Sequence, residues 1–493
     1  MAMRRAGAWT ALAGLAALAG TPATALAQDV EPVGDPIEEA LIEGPLLPAE
    51  VLRSSVLTFP AILESFEREA AARADQLEAD GAFDLILEGE YYDRYTGTFS
   101  GGFAEVEARQ PLGPLNAQVF GSYRVSDGTF PIYENIYNTN QLGELKIGAL
   151  FSLLRDRRID ERRFDIADTR LAAGQARLDV ILVQLRIQHE ALQAYWRWVA
   201  AGGEIRVYEE LLEIAEARAI GLERQIRAGA TAAIDLTENE QNVILRRTLL
   251  TEAQRNFQTA ANSLSFYLRD SEGNLIVPTR QQLPDTDIVA GLPDLQRLFA
   301  IQRSDILRYR PELQTLRIAI ERAENRVALR VNDLQPALDA SVEVSRDFGS
   351  VGDGGPTFDS TDTVVGLTFT VPLQRREARG RLRRAEAELR ATQLREQRIA
   401  DEIEVELDNI LANLNAALRL ADLAEDEVEQ ASAMVAAERR RFQLGAGDFF
   451  LVNLREERAA DAQIRRIRAN LTGRLAEASY NAATMNLDAL GLE

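Results

Sequence analysis

Residues 381–444 read RLRRAEAELRATQLREQRIADEIEVELDNILANLNAALRLADLAEDEVEQASAMVAAERRRFQL, a stretch without glycine or proline that Gly445-Ala446-Gly447 ends. Apolar residues recur through it at three- and four-residue steps: Leu382, Ala385 and Leu389, then Ile399, Ile403, Leu407, Leu411, Leu414 and Leu418. That is helical spacing with one apolar stripe, over a length no ordinary globular helix needs. Unbroken, it spans roughly 90–100 Å at about 1.5 Å per residue. A stripe of that length is buried only against other long helices, which predicts a coiled-coil assembly.

The surroundings of this stretch occur twice. Before it, Thr363 to Val371 alternates, with Thr363, Val365, Leu367, Phe369 and Val371 on one face. Leu338 to Val344 alternates too, and the Gly/Asp-rich turn from Gly349 to Gly355 joins the two into a hairpin. A helix from about Leu295 to Asp333, carrying Arg310-Pro311-Glu312-Leu313, precedes the hairpin, and a helix from Phe449 to Asn486 follows Gly445. In the first half, a helix from about Leu52 to Asp80 contains Pro60 and ends at Gly81. Strand candidates follow at Phe83–Tyr95, Phe103–Gln110, Asn116–Ser126 and Leu142–Leu154. Helices then run from Asp160 to about Ala201, where Gly202-Gly203 is expected to interrupt, on to Ala228, and from about Ala232 to Arg269.

Two landmarks align the halves. Ile226-Arg227-Ala228-Gly229-Ala230 corresponds to Phe442-Gln443-Leu444-Gly445-Ala446, and Phe151-Ser152-Leu153 to Phe369-Thr370-Val371. Pro60 to Phe151 is 91 positions and Pro311 to Phe369 is 58. The longer first β region is read as an extra hairpin, four strands against two, or else as a long external loop. The predicted organisation is a signal at 1–27, an acidic leader at 28–51 and a first repeat at 52–270. Within that repeat the strands fall at about 83–154 and the helices at about 160–270. A connector at 271–294 precedes a second repeat at 295–493, with its hairpin at about 337–372 and helices at about 374–490.

Composition narrows the function. The formal net charge is −22 and Lys146 is the single lysine, a poor balance for binding nucleic acid. The absence of cysteine excludes disulfides, thiolate metal sites, cysteine nucleophiles and an N-terminal lipidated cysteine. Arg4-Arg5, the apolar run Ala6–Gly20 and Ala25-Leu26-Ala27 read as a secretory signal, and Gln28 to about Ala49 as a mobile or surface-hugging leader. No later stretch is a transmembrane helix, so an exported chain crosses a membrane only as a β-barrel. Tyr and Phe at the turns (Tyr91, Tyr95, Phe99, Tyr133, Tyr137) fit the aromatic flanks of such a barrel, and a small soluble sandwich carries the same pattern.

No enzyme site emerges. His189 is the one histidine, and acid pairs such as Glu209-Glu210 and Glu456-Glu457 are adjacent on helices and diverge. The glycine hinges join helix to helix, not strand to helix, so they are not phosphate loops. Tyr195-Trp196-Arg197-Trp198 reads as packing between helices. Two arginine runs follow strands: Arg155, Arg157, Arg158, Arg162 and Arg163, then Arg375, Arg376, Arg379, Arg381, Arg383 and Arg384. They read either as contacts to anionic headgroups or as helix starts paired with nearby Glu and with neighbouring subunits.

With these residues on the page, the chain from about Leu52 resembles the TolC-like outer-membrane efflux protein family. The resemblance rests on the duplicated unit, on Arg310-Pro311-Glu312-Leu313, on Phe369-Thr370-Val371-Pro372-Leu373 and on the hinges at 227–229 and 441–445. It implies a mainly α fold with a membrane β part: a twofold-repeated helix–β-hairpin–helix pair. As a homotrimer this forms an outer-membrane β-barrel continued by a long periplasmic α-helical barrel. It implies no catalysis and no cofactor. The implied role is an exit duct for efflux or type I secretion in the outer membrane and its lipid, extending into the periplasm. Its implied partners are a periplasmic adaptor (membrane fusion protein) and an inner-membrane pump. By position, Gly229, Ala230, Gly445, Ala446 and Gly447 would be the tip turns the adaptor contacts. The Asp-x-x-Asp frequent after the second hinge is replaced by Leu451 and Leu454. Candidate pore-entrance acids are therefore Asp235, Glu238 and Asp448, the last also placed to cap a helix. The alternative reading is a periplasmic coiled-coil adaptor or scaffold without a barrel.

Overall fold

The computed structural model describes residues 44–131, 138–229, 232–284, 303–351 and 360–492. The expected signal, most of the leader, Ala230, Tyr133, Tyr137 and the expected helix start at Leu295 lie outside these. In chain order the main elements are α1 (Pro48–Thr58), α2 (Pro60–Asp80), β1 (Ile86–Asp93), β2 (Gly102–Leu112), β3 (Ala117–Asp127) and β4 (Glu144–Ser152). Next come α3 (Glu161–Arg227), α4 (Ala233–Ser265), α5 (Arg303–Tyr309) and α6 (Pro311–Asn332). The chain closes with β5 (Ala337–Asp347), β6 (Thr361–Thr370), α7 (Arg376–Gln443) and α8 (Phe449–Ala483).

The strands form one six-stranded sheet in the order β1-β2-β3-β4-β5-β6, every neighbour antiparallel. The longer first β region is therefore an extra hairpin, and β4 pairing with β5 splices the two repeats. Register sorts the side chains by face. One rung crosses the sheet as Glu88, Glu107, Ser122, Lys146, Ser345 and Asp362. The adjacent rung is Leu87, Ala108, Gly121, Ile147, Val344 and Thr363. Alternation of side chains along each strand thus separates a charged face from an apolar one. The apolar face is bare, with Leu367 68% and Phe369 61% exposed.

The helices pack on α3, which touches α1, α2, α4, α6 and α8, while α7 packs on α6 and α8. Tyr195 and Trp198 are fully buried in this core, and Trp198 lies 6.2 Å from the Phe257 ring of α4. The Tyr195 hydroxyl donates to the Leu46 carbonyl at 2.9 Å. Leu46 is itself buried, so residues 44–51 are packed rather than a mobile end of the leader.

Several helix limits differ from expectation for local reasons. Gly202-Gly203 does not interrupt α3, which runs unbroken for 67 residues. A Cβ on Gly202 would sit 2.5 Å from the Leu283 side chain, and one on Gly203 would sit 3.2 Å from Ile467. The two glycines make room for the connector and for α8 instead of ending a helix. The helix expected from Leu52 to Asp80 is two, because Pro60 takes the first position of α2 after an extended Phe59. Pro311 divides α5 from α6 likewise after an extended Arg310. The opening stretch is one helix of 68 residues with no mid-length break, starting at Arg376 and absorbing Gly380. The last helix stops at Ala483 rather than Asn486.

One buried carboxylate ties the four long helices together. Glu456 of α8 receives Arg218 of α3, Arg439 of α7 at 2.9 Å and Arg246 of α4 at 3.4 Å. Arg246 is also buried and donates to the Leu211 carbonyl at 2.7 Å, and Arg218 donates to Asn453 at 2.5 Å. Burial pushes the Glu456 carboxyl up, but Arg218 and Arg439 more than offset it, so its pKa lies below the ordinary carboxylate value. Helices packed by a repeating stripe can slip by a turn, whereas a buried charge is satisfied at one axial offset only. Removing the charge strands Arg246 and Arg218. Glu456→Gln should therefore lower stability at neutral pH by about 3–5 kcal/mol. A group with a depressed folded pKa stabilises above its unfolded value and loses that contribution as pH falls through the folded one. The gap between parent and variant melting temperatures, followed by circular dichroism, should accordingly be widest at neutral pH and close on acidification below about pH 4. A gap that stays constant with pH would show that the charge does not hold the cluster.

Candidate functional site

The two helical tips have the same local chemistry. Gly229 and Gly445 both take φ of +72°, the left-handed conformation that glycine adopts without strain. After α7, the Gly445 N–H donates to the Phe442 carbonyl at 3.0 Å and the Ala446 N–H to the Arg441 carbonyl at 2.9 Å. This pair of bonds caps the last carbonyls of the helix. After α3, the Gly229 N–H donates to the Ile226 carbonyl at 3.0 Å, the equivalent bond. Among the described residues, a Cβ on either glycine would meet nothing within 4 Å. Gly447 differs: its Cβ would lie 2.7 Å from the Phe442 backbone nitrogen, so its role is to let the turn close. Ala446 and Leu444 are exposed at this tip, Leu444 to 83%.

The second tip is braced from below. Phe442 and Phe449 face each other across the hinge at 6.1 Å, and the Arg218 guanidinium sits 5.6 Å from the Phe449 ring. Arg218 thus links the tip to the Glu456 cluster. That cluster was not legible in the sequence, where Glu456 reads as one of two adjacent, diverging acids on a helix. The signal lay in spacing from the hinges: Arg218 stands 11 residues before Gly229 and Glu456 11 after Gly445.

The three candidate entrance acids separate into two kinds. Asp448 is the N-cap of α8, its side chain accepting the Phe450 N–H at 3.1 Å, which takes up the carboxylate locally. Asp235 lies in the first turn of α4 and Glu238 one turn on, both partly exposed. Leu451 and Leu454 are half-buried on α8.

Other singled-out residues are structural. His189 is held by Ser479 at 3.0 Å and Gln193 at 2.9 Å, and burial lowers its pKa, keeping it neutral. Arg310 of the Arg-Pro-Glu-Leu motif is buried where it pairs with Glu312 at 3.2 Å and Glu406 at 3.1 Å. It also donates to the Ala483 carbonyl at 3.0 Å, joining α6, α7 and the end of α8. Among the described residues, no group of His, Cys, Asp or Glu is placed to hold a metal ion, and no helix is long and apolar enough to cross a membrane.

Comparison with known proteins completes the description. Residues 303–490 match the model of the outer membrane efflux protein family. No curated protein sequence matches the chain. The open state of the Neisseria gonorrhoeae MtrE outer membrane channel is similar at a TM-score of 0.61 and 15% identity, over 90% of this chain and 89% of that one. The Campylobacter jejuni CmeC outer membrane channel is similar at 0.61 and 14%, over 90% and 86%. VceC, an outer membrane protein of Vibrio cholerae, is similar at 0.60 and 14%, over 90% and 97%. These likenesses cover both repeats, sheet and helices alike. The second repeat thus carries the sequence of the outer membrane efflux protein family, and the chain as a whole has the fold of a TolC-like outer-membrane channel.

Proposed function

We propose that three copies of this chain form the outer-membrane exit duct of a tripartite efflux or secretion system. The observation that carries this reading is the sheet: one face apolar and bare, the other charged, with both edges open among the described residues and with β4 and β6 each leading into a long helix. Hydrocarbon tolerates no open strand edge, so the sheet must close into a barrel with further strands. Three copies supply about eighteen strands, within the range of outer-membrane barrels that enclose a passage. The charged face then lines that passage and the apolar face meets lipid. The four long helices continue as the tunnel wall in the periplasm, ending at Gly229 and Gly445. A coiled-coil adaptor without a barrel leaves the apolar sheet face unexplained.

The outer-membrane reading is checked by fractionation and by the size of the detergent-extracted particle. Recovery with outer membranes as a heat-modifiable trimer is expected; monomers confined to the soluble periplasm would sink the duct.

The tips, Gly229 with Ala230 and Gly445 with Ala446 and Gly447, are where a periplasmic adaptor fed by an inner-membrane pump would dock. Gly445→Trp faces open space, so its cost to folding is confined to left-handed strain of about 1–2 kcal/mol. Trimers should persist while adaptor affinity, measured by biolayer interferometry, falls at least about tenfold, ~1.4 kcal/mol. Unchanged affinity would place docking elsewhere.

Asp235 and Glu238 are the acids proposed to line the entrance, Asp448 being occupied as a cap. Reversal potentials across planar bilayers should shift towards anions in Asp235→Asn/Glu238→Gln. A channel whose selectivity does not move has its constriction built from other residues.

A further inference from the structure

Where the sheet gives way to the helices, members of both arginine runs meet in one recess. We infer that this recess is a binding site for a multivalent oxyanion: free phosphate, or a phosphate group carried by a solute. Its placement on a passage rests on the duct reading above; its chemistry does not.

Both repeats build the recess. The start of α3 supplies Arg162, and the turn from β6 into α7 supplies Arg375 and Arg376. Asp333 after α6, with Gln118 of β3 and Ser152 of β4, continues the lining. A cavity of about 850 Å³ stays open between them. Sites that hold a small molecule enclose roughly 300–1,000 Å³, so the space suffices.

The face on which it opens follows from register. Gln118 and Ser152 alternate in step with Ser122 and Lys146, so they belong to the charged face of the sheet. In the proposed barrel that face lines the passage, and the recess opens onto it.

Charge decides what fits. Five carboxylates line the recess, and each already has a partner. Asp156 takes Arg155 at 3.3 Å and the Asn332 amide at 2.7 Å, while Asp160 takes Arg163 at 2.5 Å. Arg330 reaches Glu161 and Asp333 at 3.0 Å each, and Arg381 pairs with Glu377. Arg162 and Arg376 make no ion pair or hydrogen bond among the described residues, and Arg375 reaches only the Leu334 carbonyl, at 3.0 Å. Seven guanidiniums in and around the recess thus stand against five carboxylates, an excess of two positive charges.

The start of α7 adds to that excess. No side chain caps its first N–H groups, and the positive end of its dipole lies at the recess. Like charges gathered in one recess repel, and a bound anion relieves them. A guanidinium offers a planar fork of donors that matches two oxygens of a phosphate, so an oxyanion is favoured over a halide.

Isothermal titration of the detergent-solubilised chain with inorganic phosphate at low ionic strength should show saturable binding, one site per chain. Arg162→Gln/Arg376→Gln should weaken it at least about tenfold. Neither residue holds a partner in the fold, so the variant should melt with the parent. Arg158→Gln/Arg379→Gln removes two equally unpaired arginines of the same runs that line no part of the recess, and should leave binding unchanged. Equal losses in the two variants would reduce the effect to general surface charge and overturn the site, as would the absence of saturable binding; the duct would stand. Competition by glucose 6-phosphate supports a group carried by a solute, and its failure to compete supports the free ion. In planar bilayers, phosphate should lower the conductance of the parent and not that of Arg162→Gln/Arg376→Gln. Phosphate that binds without altering a conducting channel would overturn the placement on the passage. A chain that neither forms trimers nor conducts would overturn the duct itself.

Discussion

The outer edges of β1 and β6 pair with no other strand among the described residues, and the sheet between them is apolar on one side. Peptide groups in that position can be satisfied by water or by another strand. Beside a bare face carrying Val365, Leu367 and Phe369, water cannot serve, because the environment that suits the face excludes it. In the proposed trimer both requirements are met, because copies of the sheet close one another's edges. That closure would also govern the helices, which hang from strand ends set around a ring and so form a wall spaced by the barrel.

Within one chain that wall is already half built. α3 is the hub, and its aromatic segment Tyr195 to Trp198 gathers α1, α4 and the packed end of the leader. Farther down, packing alone would leave long helices free to slide, and there a single carboxylate meets three arginines from three helices. The penalty for burying Glu456 and Arg246 is offset only when all partners are in place.

The sequence carried the periodic features well. Alternation marked the strand segments, with a long loop left as the alternative to the extra hairpin, and the duplicated glycines marked the turns between helices, because periods of two and of three to four residues are written along the chain itself. What stayed hidden was set by contacts between distant residues. Gly202-Gly203 looks like a break, yet the partner that needs the space, Leu283, lies some eighty residues on. Pro60 and Pro311 were read as part of longer helices, whereas each takes the first position of a new one, where its missing N–H costs nothing. Asp448 was legible as a cap because its partner is two residues away; Glu456 was not, because its partners are 17, 210 and 238 residues away.

The two arginine runs follow one pattern. In the first, Arg155 and Arg163 are engaged locally, by Asp156 and Asp160 at the turn leaving β4, while Arg157, Arg158 and Arg162 make no ion pair among the described residues. In the second, Arg375 reaches back to the Leu334 carbonyl and Arg381 pairs with Glu377, while Arg376, Arg379, Arg383 and Arg384 make none among the described residues. Each run thus holds two arginines on partners close to the strand end and presents the others to the surroundings. Contacts within one copy leave those other arginines to solvent or, in the proposed trimer, to a neighbouring copy.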